Sequence, residues 1–95
     1  MKSQAQSSVG QWVRSQLEEG NPEAVLLEDL DGALIGVGRQ YARKPVAVYS
    51  VEKILSELER VYECTVEDAA EWFGHNIECL GCGDETPILV YEELP

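Results

Sequence analysis

Residues 45–63 read Pro45-Val-Ala-Val-Tyr-Ser50-Val-Glu-Lys-Ile-Leu-Ser-Glu-Leu-Glu-Arg-Val-Tyr-Glu63, and they decide the fold. Pro45 to Tyr49 is a short β-prone run. After it, apolar side chains recur at Val51, Ile54, Leu55, Leu58, Val61 and Tyr62, the spacing of a helix with one buried face. Ser50 between them has the side chain of an N-cap. A strand therefore passes into a helix running from Val51 to about Glu63.

Reading toward the C-terminus, Thr65 with Asp68 three residues on opens a second helix, whose Val66, Ala69, Ala70, Phe73 and Ile77 share one face. The loop Leu80 to Glu85 leads into a last strand, Pro87 to Tyr91. Toward the N-terminus, Ala33 to Gly38 forms a neighbouring strand across the polar loop Arg39 to Lys44. Asn21-Pro22-Glu23 carries helix-start chemistry and predicts a helix to about Asp29; a strand through Ala24 to Leu27 competes with it but lacks alternation. Ser8 and Gln11 stand at capping-box spacing before the stripe Val9, Trp12, Val13 and Leu17, with Gly20 and Pro22 as stop. That stripe needs a surface to pack on, in this chain or in a second copy, so self-association stays open. The resulting order α-α-β-β-α-α-β predicts an α+β fold, a small three-stranded sheet packed by amphipathic helices. Residues 1–20 form a mobile end and a short helix, and residues 21–95 a single domain. Only the last connection is long enough for a parallel crossover.

Ninety-five residues make one domain, and 44% hydrophobic with 26% charged residues is a globular composition. No apolar run is long enough for a membrane span or signal core, and three cysteines, an odd count, argue for reduced thiols in a cytosol. The net charge of −11 sits mostly in the second half: residues 52–95 hold 12 acidic and 2 basic side chains, residues 1–51 hold 6 and 5. Such a surface repels nucleic-acid phosphates and anionic membranes.

Four groups of residues carry candidate chemistry. The paired helices present Glu52, Glu57, Glu59, Glu63, Glu67, Asp68 and Glu71 with Trp72 beside the apolar stripe, a surface suited to a basic partner with Trp72 as an aromatic anchor. Arg39, Arg43 and Lys44 are the single basic cluster and a candidate anion site. Cys64, His75, Cys79 and Cys82 have the right atoms for zinc, but a full helix separates Cys64 from His75, so no metal is assigned. Gly36-Val37-Gly38 has two glycines of a phosphate loop without the third or the following helix, and reads instead as a bulge or close approach. Cys79 and Cys82 follow a helix C-terminus, the wrong end to activate a redox thiol. No nucleophile with an orienting base stands out, so no catalysis and no cofactor are expected.

The segments Asp31-Gly-Ala-Leu-Ile-Gly-Val37, Pro45-Val-Ala-Val-Tyr-Ser-Val-Glu-Lys-Ile54, Glu67-Asp-Ala-Ala-Glu-Trp-Phe-Gly-His-Asn76 and Gly83-Asp-Glu-Thr-Pro87 together resemble a group of small uncharacterised bacteriophage and prophage proteins. The resemblance spans residues 31–91 and implies a small, cytoplasmic, phage-borne accessory protein without an established activity. It also places Asn76, Glu85 and Thr86 within the shared motifs, as candidate ligand contacts. The group carries small or apolar residues where this chain has Cys79 and Cys82, which argues against zinc as a shared property. With the charge, the resemblance predicts a protein that binds and inhibits a host protein with a basic surface, such as a defence nuclease, a CRISPR surveillance complex or a transcription factor, in the manner of a DNA mimic. The alternative is a small module that binds an anion at Arg39, Arg43 and Lys44 or zinc at the cysteines.

Overall fold

The computed structural model describes residues 8–77 and 83–92. Three helices, α1 (Ser8–Gly20), α2 (Val51–Tyr62) and α3 (Val66–Asn76), accompany three strands, β1 (Leu34–Gly38), β2 (Val46–Ser50) and β3 (Ile88–Val90). The strands form one mixed sheet in the order β1-β2-β3, β1 antiparallel and β3 parallel to β2. This is the expected small α+β fold, with the parallel pair joined through α2 and α3.

Cross-strand register assigns the two faces of the sheet. Val37 lies opposite Ala47, and Tyr49 opposite Leu89, so these share one face. They belong to the core with Val13 and Leu17 of α1, Ile54 and Leu58 of α2, and Phe73 and Ile77 at the end of α3. Gly38 lies opposite Val46, and Val48 opposite both Gly36 and Ile88, so these line the other face, where Val46 is buried and Ile88 is exposed. A register shift between Leu34 and Gly36 supplies the bulge expected of this strand. At Gly38 a Cβ would stand 2.7 Å from Ile88 Cδ1 and 2.9 Å from Val48 Cγ2. Glycine there lets the Ile88 side chain reach across β2.

The helix expected over residues 21–29 does not form. Asn21 is buried, and its amide Nδ2 donates to Pro45 O (2.9 Å) and Glu85 Oε1 (2.7 Å) instead of turning back to cap a helix. Ala24 to Leu27 is neither helix nor strand; Val25 N–H donates to Glu85 O (3.1 Å) and Leu27 N–H to the Tyr49 hydroxyl (2.8 Å). Each such long-range partner removes a reason for the segment to satisfy its own donors by coiling. Asp29 then turns the chain at φ 67°, and a single 3-10 turn at Asp31–Ala33 enters β1. Arg14 of α1 grips Asp31 through two hydrogen bonds, Nε–Oδ2 3.0 Å and Nη2–Oδ1 2.6 Å, fixing that turn to the first helix.

α1 packs against β1 and β2 through Val13 and Leu17, so half of its expected stripe is covered within the chain, while Val9 and Trp12 remain exposed. Among the described residues no helix is long and apolar enough to cross a membrane.

Tyr49 is 0% exposed. Burial pushes its phenol pKa above the ordinary value, partly offset by the bond from Leu27 N–H. The folded state therefore holds this proton more tightly than the unfolded chain does. The resulting stabilisation is complete below the unfolded pKa of about 10 and is lost as pH rises through the higher folded value. Tyr49→Phe strands the Leu27 donor and is expected to lower stability by about 1–3 kcal/mol at neutral pH. The same variant should lose less stability than the parent on going above pH 10. Urea unfolding at pH 7 and at alkaline pH checks both outcomes.

Candidate functional site

The acidic candidate is an α-helical hairpin. Ser50 Oγ accepts from Lys53 N–H (3.3 Å) at the start of α2, and Thr65 Oγ1 from Asp68 N–H (3.1 Å) at the start of α3. α2 ends at Glu63, which adopts a left-handed φ of 51° so that Cys64 N–H can reach back to Glu59 O (3.3 Å). Glu52, Glu63, Glu67, Asp68 and Glu71 are exposed and Glu59 is half-buried; none of the six is in a salt bridge among the described residues. Glu57 differs from them: it pairs with Arg60 and lies beside Gly32, away from this group.

Helical geometry divides these acids into strips. Glu52 and Glu59, seven residues apart, share one flank of α2, with Lys53 and Arg60 on its outer side, and Glu63 follows as the left-handed residue after the helix. On α3, Glu67 and Glu71 share a flank about 100° or more round the axis from Trp72, and Asp68 lies between, one turn before Trp72. The carboxylates therefore surround the hairpin instead of forming one plane centred on Trp72.

Trp72 stacks in tilted fashion on Tyr62, the ring centroids 5.7 Å apart at 41°. Both rings stay open to solvent, Tyr62 at 54% and Trp72 at 38%. The apolar period assigns Tyr62 to the core, but Tyr62 is exposed at the end of α2, as are Val61 and Val66 on either side of the turn. A residue at the correct phase of a helix is buried only where a neighbouring element reaches it.

The basic candidate is a groove of about 250 Å³ at the end of the sheet face away from the main core. Arg39, Arg43 and Lys44 line it from the β1–β2 loop, with Gln40, and Asp84 and Thr86 line it from the approach to β3. Its apolar part is Gly38, Val46 and Ile88. Arg43 is ion-paired with Asp84, and its backbone N–H closes a turn on Gln40 O (2.8 Å). Tyr41, within that turn, is held at φ 48° and is 94% exposed. Asn76 is not part of this groove; its amide donates to Trp72 O (3.0 Å) and closes the last turn of α3. Glu85 is engaged by Asn21 through its side chain.

Cys64 is a half-buried free thiol whose Sγ contacts Leu58 O at 3.7 Å. Cys79 and Cys82 lie outside the described residues, and among the described residues no group of three or more His, Cys, Asp or Glu side chains is placed to hold a metal ion. Comparison with protein-family models finds no match, and comparison with curated proteins and with solved structures finds no significant match.

Glu63 offers a direct test of the hairpin geometry, because a left-handed residue with a Cβ carries a penalty that glycine avoids. Glu63→Gly is expected to leave stability unchanged or raise it by up to about 1 kcal/mol, the gain being reduced by glycine's greater freedom in the unfolded chain. Thermal and urea unfolding of the variant against the parent read this out.

Proposed function

We propose that this chain is a non-enzymatic protein-binding module whose acidic hairpin, α2–α3, docks on a partner with a basic surface. The observation that carries this reading is the set of six carboxylates, Glu52, Glu59, Glu63, Glu67, Asp68 and Glu71, without salt-bridge partners among the described residues, on the hairpin that also exposes the Tyr62–Trp72 pair. Glu67–Glu71 is a like-charge pair four residues apart within α3, which costs a helix about 0.2–0.5 kcal/mol. A surface charged only for solubility has no need of that arrangement. An exposed aromatic pair on a hairpin whose flanks carry carboxylates combines a desolvatable anchor with long-range attraction to cationic side chains.

The partner in the specific form of this reading is a nucleic-acid-binding host protein, and the effect is inhibition. Carboxylates fill a groove lined by Arg and Lys that otherwise takes phosphates, displacing nucleic acid by mimicry. The resemblance to phage proteins supports a host defence or transcription protein as the target. The reading places the protein in the host cytoplasm.

The test compares tagged parent with the quadruple variant Glu59→Lys, Glu63→Lys, Glu67→Lys, Glu71→Lys, as bait in nuclease-treated bacterial lysate at low and high salt. One nucleic-acid-binding protein should be captured stoichiometrically by the parent, released as salt rises or duplex DNA is added, and absent from the variant. Circular dichroism should show the variant folded, since the reversed positions stand on the solvent side of the helices. Equal capture by parent and folded variant, or no enriched protein with the parent, would sink the proposal.

A further inference from the structure

The basic groove is not accounted for by an acidic docking hairpin. We propose that it is a binding site for a small phosphomonoester, with the phosphate held by Arg39, Arg43 and Lys44 and a compact apolar substituent resting on Ile88.

Charge is the first argument. In a chain of net charge −11, three cationic side chains converge on one concavity against a single lining carboxylate, Asp84. Lining charges of three positive and one negative match a phosphate dianion, the form a phosphomonoester takes above its second pKa of about 6. Arg39 and Lys44 have no salt-bridge partner among the described residues, although acids outnumber bases by 18 to 7 in the chain. Their donors are available to a ligand, and Arg donors match the oxygens of phosphate in spacing.

Preorganisation is the second. Asp84 holds the Arg43 guanidinium at the groove, and the Gln40–Arg43 turn, with its left-handed Tyr41, fixes the loop that carries all three cations. Thr86 and Gln40 add polar atoms to the lining.

Shape is the third. Gly38 leaves room for the Ile88 side chain to lie over it, and Ile88, 41% exposed, forms an apolar ledge at the groove. About 250 Å³ lies just under the usual 300–1,000 Å³ of small-molecule sites, room for a phosphate and a ring but not for a whole dinucleotide. A long polyanion is disfavoured because the rest of the molecule repels it.

Phenyl phosphate is a probe with both halves of this chemistry. Titrated at constant ionic strength and pH 7.5 into the full 15N-labelled chain, it should give saturable amide shifts at Gly38, Arg39, Arg43, Asp84 and Thr86, with a Kd on the order of 0.1–1 mM. Inorganic phosphate should bind the same residues more weakly, and phenol should not bind. The double variant Arg39→Gln, Lys44→Gln, altered at two exposed side chains, should keep the dispersed amide spectrum and weaken binding at least about tenfold. Shifts that grow linearly without saturation, that sodium chloride reproduces, or that the folded double variant leaves intact would overturn the assignment. None of these readouts depends on a protein partner, so the groove can fail while the acidic hairpin stands, and the reverse.

Discussion

The junction at Ser50 constrains the rest of the molecule. Ser50 is at once the last residue of the central strand and the N-cap of α2, so no loop separates the two. The direction in which β2 leaves the sheet thereby sets where α2 begins. Its hydroxyl is committed on both sides, accepting from Lys53 N–H and donating to Glu92 Oε1. Ser50 also lies opposite Val90 in the parallel register. One small buried side chain thus connects the strand, the helix it starts and the chain just beyond β3. Because α2 departs directly from β2, Ile54 and Leu58 lie over the face that contains Tyr49, and the main core collects on that face.

Much of this was legible in the sequence because it depends on local chemistry. The caps Ser50 and Thr65, the apolar period of α2 and α3, and the β-prone runs each act within a few residues, and the elements form where those signals place them. The failure at residues 21–29 has the opposite cause. Asn21-Pro22-Glu23 is a good local start signal, but Asn21 is engaged by Pro45 and Glu85, 24 and 64 residues away, and no local pattern encodes such partners. Tyr62 was misplaced for a related reason: phase is local, whereas the reach of the neighbouring element is not.

The candidate sites divide in the same way. The net charge of the second half is visible in composition, yet its arrangement around α2 and α3 in strips, with Glu57 withdrawn to Arg60, required the fold. Arg39, Arg43 and Lys44 stand out as a basic cluster in the sequence, but Asp84, Thr86 and Ile88 join them only because β3 pairs parallel to β2. The two glycines of β1 read as backbone features. In the sheet they lie opposite Val46 and Val48, on the face that carries Ile88, and Gly38 leaves room for that side chain.

The segment 84–92 closes the molecule like a drawstring. Asp84 holds the β1–β2 loop, Glu85 holds Asn21 and Val25, Ile88 to Val90 complete the sheet, and Glu92 reaches Ser50. All these partners precede it in the chain by 40 residues or more, so they emerge from the ribosome first and wait. Until the segment follows them, β2 has an unpaired edge and Asn21 lacks its Glu85 acceptor. Folding during synthesis is then ordered in time: the α2–α3 hairpin can form from near neighbours, while closure of the sheet comes last and bears the entropy of the longest loops. The exposed edge of the nascent β2 is the chain's most vulnerable surface during that interval.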